Sequence, residues 1–525
     1  MTPYIIGGPN DTVGTEVRFS EKETNMPKKL RVESYNEAVD ALLKKADELG
    51  VYAIGRIQDS RGRSLSVNNG RLERIDTGSS VGIGVQVFTP EGHTGFVSSD
   101  QVTPESCRNL VETAARLARS ASAFGTETNR AVFEIESNGK QTIATDFKTL
   151  DETSYDEQVK TLLGANEQAR GYGNGLSVRS GHGISDPHWR IVRSDGTDIS
   201  FDTPHASVGM SITAPASGGK PATASASVSG PDSRVLLDEI FQERLDLRTR
   251  KAANLAQRLV NAPQIKGGSY KLVIDYALAK GLAHEAFGHA SETDGMETSI
   301  LGKEGIMRVG EKMAAEFVTI TDGPVLGDYA YQPVSANGMP RQTVEILKDG
   351  VLRAGLADLF SAGKAGVPIS GAERIESYRN LPLPRMTNIR ITVQDPVKFE
   401  TRFELVTPEE LRETLLANGL LKEGEPALYL AGYKGGQVNP KDGDFVFNCA
   451  AIYDLSQPDL PLYQPAIFSG KVLAALHSIL GGLGPLHLDA MGHCGKGGQS
   501  VPSSGGAHSF VVVDRNENVT IGGAS

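Results

Sequence analysis

From Val51 to Thr89 the chain runs in short apolar–polar alternations: Val51 to Gln58, Ser64 to Asp76 and Val81 to Thr89. Asn68-Asn69-Gly70 stands between apolar alternations in the second run, where a hairpin turn belongs, and Glu91-Gly92 makes a turn after the third. Side chains that alternate with period two line opposite faces of a strand. Connections this short join antiparallel neighbours, because a parallel pair needs a crossover of a dozen or more residues. An antiparallel sheet is therefore expected here, with helices on either side. Ser34 and Glu37 have capping-box spacing, Ala38, Val39, Leu42, Leu43, Ala46 and Leu49 share one helical face, and Gly50 supplies the stop. Thr103-Pro104 opens a second helix to about Ser120, and Ser154 with Glu157 opens a third towards Arg170, ahead of hairpin-like strands around Asp195-Gly196.

A long charged helix is expected from Asp232 to about Ala262, after which Pro263 to Gly268 punctuates the pattern. Past Ser269 one clear helix is followed by strand-like pieces between Gly, Pro, Asn and Asp turns. The 525 residues suffice for two or three units, each with its own core. The expected architecture is α+β. An extension over residues 1–29 precedes an N-terminal α/β region over 30–262, built as a mixed antiparallel sheet with helices. A β-rich, barrel-like domain over 263–525 carries the early helix.

With 53 Lys and Arg against 64 Asp and Glu the net charge is -11, and there is no basic run to make a phosphate-binding surface, so nucleic acid is not an expected partner. Met1 to Ser20 contains Asn10, Asp11 and Glu16 and lacks a basic start before an apolar stretch, so no secretory signal is read there and a cytoplasmic location is expected. The most apolar late stretch, Val472 to Leu488, is cut by His477, Gly481, Gly482, Gly484 and Pro485, short of the roughly 20 apolar residues a spanning helix needs. No membrane segment is expected. Cys107, Cys449 and Cys494 are too few and too scattered for a disulfide framework. Cys107 falls with Leu110, Val111, Ala114 and Leu117 on one helical face, a packing position.

The chemistry concentrates in His284-Glu285-Ala286-Phe287-Gly288-His289. Two histidines four apart on an α-helix share a face and can bind one zinc ion, with the intervening Glu as base. Here the spacing is five, a rotation of about 140°, which points the rings to different faces of a regular helix. Either the two are separate hydrogen-bonded histidines, or the helix is distorted by a π-type turn or ends near Gly288; the distortion is predicted. A catalytic zinc site uses three protein ligands and keeps one position open. Cys494, in Gly492-His493-Cys494-Gly495-Lys496-Gly497-Gly498-Gln499, sits among glycines with no apolar face to fill and is the candidate third ligand. His493, Glu292 and Asp294 are alternatives for that position or for orienting an imidazole.

These residues, with Arg385-Met386-Thr387-Asn388 and Gly435-Gly436-Gln437, occur in an order that resembles the TldD/PmbA (TldE) family from about Leu30 to Gly523. The resemblance implies a TldD-type zinc metallopeptidase subunit, with one Zn2+ per chain on His284, His289 and Cys494. PmbA-type subunits share the fold but lack these ligands. It also implies action on unfolded or short peptides, including modified-peptide precursors, at a site enclosed by a dimer with a PmbA/TldE-like paralogue or a second copy. Where TldD-like chains have an acidic Asp-Asp-Glu-Gly stretch, this one reads Ser335-Ala336-Asn337-Gly338, a departure that bears on substrate contacts.

Glu285, beside a ligand, is the candidate general base, taking a proton from the water that zinc activates and passing it to the leaving amine. Gly435 to Gln437 and the glycines around Cys494 either let an extended peptide approach backbone donors or serve tight turns. Gly171-Tyr172-Gly173-Asn174-Gly175 misses the dinucleotide spacing, and Gly497 follows Gly495-Lys496 where a phosphate loop needs Ser or Thr. The competing reading is a non-catalytic peptide-binding or regulatory subunit of the same fold. A zinc-stabilised structural protein would need four closing ligands.

Overall fold

The computed structural model describes residues 28–125, 128–216 and 220–524. The expected extension over residues 1–29 falls almost wholly outside them. The protein is α+β, organised on two large sheets.

The first sheet has eight strands, with Thr94–Ser99, Arg71–Phe88, Tyr52–Asn68, Ser177–Arg193, Asp198–Asp202 and Lys140–Ile143 side by side. His205–Ala214 and then Ala222–Gly230 continue from the other half of Ser177–Arg193. All pairs are antiparallel except Lys140–Ile143 with Asp198–Asp202. The three alternating runs of the sequence prove to be two long strands, paired from Tyr52 opposite Phe88 to Asn68 opposite Arg71. Asn69 and Gly70 make the turn with φ of 49° and 77°, the left-handed pair that a two-residue hairpin requires. The polar gap at Asp59 to Arg63 marks where the first strand passes from a buried half to a half-exposed one, not where it ends.

Four helices cover this sheet. Asn36–Glu48 and Pro104–Ser122 seal one core around Leu42, Ile57, Val85 and Val111, in which Cys107 is fully buried; Tyr155–Arg170 and Glu239–Leu259 seal another around Leu162, Val178 and Val208. Thr103 and Ser154 cap their helices by accepting from the Ser106 and Glu157 N–H groups. Ser34 does not act as expected. Arg31–Ser34 forms a 3-10 turn of its own, the Ser34 hydroxyl donates to the Arg31 carbonyl, and the helix starts at Asn36. The charged helix of the sequence also divides, into Arg234–Leu237 and Glu239–Leu259, at an extended Asp238.

The second sheet has thirteen strands, running from Val351–Leu352 through Val344–Lys348, Val318–Gly323, Asn388–Val393, Gln499–Val513, Lys271–Asp275, Ala427–Asn439, Asp444–Asp454 and Ala466–Lys471 to Val519–Ala524. It is open, so the expected barrel-like closure is corrected. Two parallel pairs, Asn388–Val393 with Gln499–Val513 and Ala427–Asn439 with Lys271–Asp275, place the long strand Gln499–Val513 and its neighbour Lys271–Asp275 at the centre.

Where the two sheets meet, Tyr52, Ile54, Trp189 and Ile191 pack on Val334, Ala336, Leu359 and Ile375. Ser335-Ala336-Asn337-Gly338 lies in this joint, with Ser335 and Asn337 fully buried. The buried Arg56 guanidinium donates to the Ala336 carbonyl at 2.7 Å and to Asn337 Oδ1, and Asn337 Nδ2 donates to Glu373. The departure therefore sits inside the protein, where it holds the sheets together.

Candidate metal centre

Strand Lys271–Asp275 ends at a carboxylate that accepts from the Leu278 N–H at 2.9 Å and the Gly432 N–H at 2.6 Å, capping the next helix and tying it to strand Ala427–Asn439. Tyr276–Gly281 is α-helical, Leu282–Gly288 is a π-helical turn and His289–Ser291 a 3-10 turn. The His289 N–H bonds to the His284 carbonyl, five residues back, which is what brings a five-residue spacing into line. The two imidazoles lie 5.2 Å apart, at 89° to each other. Gly288 is required by close approach, since a Cβ there would lie 2.1 Å from Met386 Sδ.

Cys494 comes from the far end of the chain. Strand Gly492–Lys496 pairs with Gln499–Val513, and its period of two puts Gly492, Cys494 and Lys496 on one face and His493 on the other. Cys494 Sγ is 3.6 Å from His289 Nε2, and the donor atoms of His284, His289 and Cys494 lie within 4.8 Å of one another. Zinc bonds of about 2.3 Å to sulfur and about 2.0–2.1 Å to nitrogen, at a tetrahedral angle, put such atoms about 3.6 Å apart, so this pair already has the spacing of two zinc ligands. The His284 Nδ1 atom is buried without a hydrogen-bond partner.

The alternative ligands are engaged elsewhere. Glu292 places both oxygens 3.1 Å from His289 Nδ1, leaving Nε2 to face the sulfur, the usual outer carboxylate of a ligating histidine. Lys496 Nζ holds Glu292 at 2.8 Å and Asp294 at 2.7 Å. His493 points the other way, with Nε2 3.3 Å from the Tyr329 hydroxyl, onto a cavity of about 360 Å³ that Trp189 and His205 also line. Glu285 Oε2 is 4.0 Å from His289 Nε2, and the two side chains keep 20% and 12% exposure, so the centre is open on that side. Tyr433 hydrogen-bonds Glu285. Sequence reasoning missed it, although it stands just before Gly435-Gly436-Gln437. Of those glycines, Gly435 has a φ of 97° at a bulge, where L side chains are strained, and a Cβ on Gly436 would lie 2.2 Å from the Phe447 ring.

Burial pushes the His284 imidazole far below its ordinary pKa, with help from Lys280. Burial alone would raise the Cys494 thiol, but the hydrogen bond and charge of His289 bring it down; burial would lower His289, and Glu292 raises it well above its usual value. Burial raises Glu285, against the pull of His289 and Lys280, towards the range useful for a base. A second buried cluster, Asp186, His188 and Asp202, has its cations in place already, with Arg31 2.8 Å from Asp186 and Lys28 2.8 Å from Asp202.

Two imidazoles and a thiolate, converging from a π-turn and a hairpin with a carboxylate beside them, are a candidate donor set for a transition-metal ion. The signatures of PmbA/TldA metallopeptidase domain 1, central domain and C-terminal domain match residues 56–118, 148–260 and 267–481. The chain belongs to the PmbA/TldD metallopeptidase family. Cys494 lies beyond the last matched residue. A metalloprotease of Methanocaldococcus jannaschii is 26% identical over 481 residues, spanning 88% of this chain and 96% of that protein. A metalloprotease TldD homologue of Buchnera aphidicola is 27% identical, spanning 88% and 90%, and a zinc metalloprotease TldD homologue of Saccharolobus solfataricus is 29% identical, spanning 49% and 54%. Among solved structures, TldE from Thermococcus kodakarensis superposes with a TM-score of 0.71 at 16% identity, over 93% of this chain and all of that one, which establishes a shared fold. No helix among the described residues is long and apolar enough to cross a membrane.

Proposed function

We propose that this protein is a zinc-dependent peptidase of unfolded or short peptides. The observation that carries the reading is the convergence of His284, His289 and Cys494, with the 3.6 Å sulfur–nitrogen spacing of a tetrahedral pair. These residues would hold one Zn2+, which would supply Lewis-acid chemistry at the site. Glu292 fixes the His289 ring and leaves Nε2 free to ligate. Glu285 takes the proton of the attacking water at its carboxylate and hands it to the leaving amine; Tyr433 orients that carboxylate. The protein works as a dimer, with a PmbA/TldE-like paralogue or a second copy, and the enclosed site admits an extended chain. Digestion of a protein in its folded form and in a permanently unfolded form tests this: the unfolded form is cut and the folded one spared. Equal rates on both would refute the enclosed site.

A further inference from the structure

Arg385 is fully buried, and among the described residues no carboxylate forms an ion pair with it. Instead one edge of its guanidinium grips Cys494. The Nε–H donates to Sγ at 3.3 Å, the Nη2–H donates to the Cys494 carbonyl, and Nη1 has no partner. The grip is itself fixed. The Arg385 carbonyl accepts from Arg341, whose guanidinium pairs with Asp322 at 2.8 Å, and Asp322 also accepts from the Thr387 N–H. Two parallel hydrogen bonds from a rigid planar group set both position and direction, which a single donor cannot do.

We propose that Arg385 is the positioning residue of the centre: it aims the Cys494 sulfur at the metal and tempers its donor strength. This rests on the reading of Cys494 as a ligand. A hydrogen bond to a ligating sulfur stabilises its lone pairs, so less charge passes to the metal and the metal stays more electrophilic. Glu292 acts oppositely on His289, since a carboxylate on the far nitrogen makes that ring a better donor. The centre thus has one ligand strengthened and one restrained, each by a buried group of opposite charge.

Cobalt(II)-loaded protein supplies a readout independent of activity, because thiolate ligation gives a sulfur-to-cobalt charge-transfer band. In Arg385→Gln that band moves to lower energy, and zinc affinity measured by chelator competition falls roughly 10- to 100-fold, the usual worth of an outer-shell partner. Arg385→Lys keeps the charge without the two-toothed edge and shows the same displacement; it serves if the glutamine variant fails to fold. A band unmoved in a folded variant, with unchanged zinc affinity, overturns the role of Arg385. Absence of any thiolate band in the parent overturns the ligand set itself, and the role of Arg385 with it.

Discussion

Replacing Gly288 by alanine tests whether the π-turn is held in shape by what packs against it. The added methyl would lie 2.1 Å from Met386 Sδ and 3.0 Å from Ile389 Cδ1. Met386 and Ile389 are both fully buried, so the strain falls on the core or on the turn. Such overpacking costs about 1–3 kcal/mol. Gly288 has helical φ and ψ of -59° and -55°, where alanine recovers about 1 kcal/mol of helix propensity. The fold therefore survives, and the damage appears at His289, the next residue, as at least a tenfold loss of zinc affinity by chelator competition. Met386→Ala alone leaves a cavity worth about 2–5 kcal/mol, and in the double variant the new methyl enters it. The loss of stability in the double variant should then fall short of the sum of the two single losses by about 1–3 kcal/mol in denaturant titration. Strict additivity, or normal zinc affinity in Gly288→Ala, would refute the argument.

Asn337→Leu strips a hydrogen bond from the buried Arg56 charge and should cost about 1.5–3 kcal/mol of stability by denaturant titration, while peptide preference stays unchanged if this stretch is a joint and not a substrate contact. Burial lowers His182 to about 4. Between pH 6.5 and 4 the unfolded chain gains a proton there that the folded chain refuses, so stability drops with acidification by about 1.4 kcal/mol per pH unit from this group. His182→Asn should flatten the acid side of the stability profile by that slope, and an unchanged profile would count against the assignment.

Much of the secondary structure that rests on local chemistry was legible, the Ser34 cap excepted. The Asn69-Gly70 turn and the caps at Thr103 and Ser154 need only neighbouring residues, and each stands where its pattern puts it. Strand limits and sheet closure were not, because they depend on which side chains meet across the fold. Asp59 to Arg63 looks like a break and is strand, and the C-terminal domain expected to be barrel-like is an open sheet with two parallel pairs. At the centre, the five-residue histidine spacing forced the expectation of a distorted helix, and a π-turn is present. Arg385 stood in one of the motifs of the resemblance with no role attached to it, and Tyr433 carried no signal of its own. Their roles come from a hairpin and a bulge that bring residues more than a hundred positions apart into contact.

The most direct test of the account is the peptide turnover of Glu285→Gln at full zinc occupancy, measured beside the parent with a PmbA-like partner supplied. Glutamine keeps the size and polarity of the side chain but cannot accept the water's proton. The account predicts zinc content and peptide affinity near those of the parent and turnover lower by roughly 10²- to 10⁴-fold. Turnover equal to the parent at full zinc would show that Glu285 is not the base, and a parent that holds zinc and peptide yet never cleaves would contradict the peptidase itself.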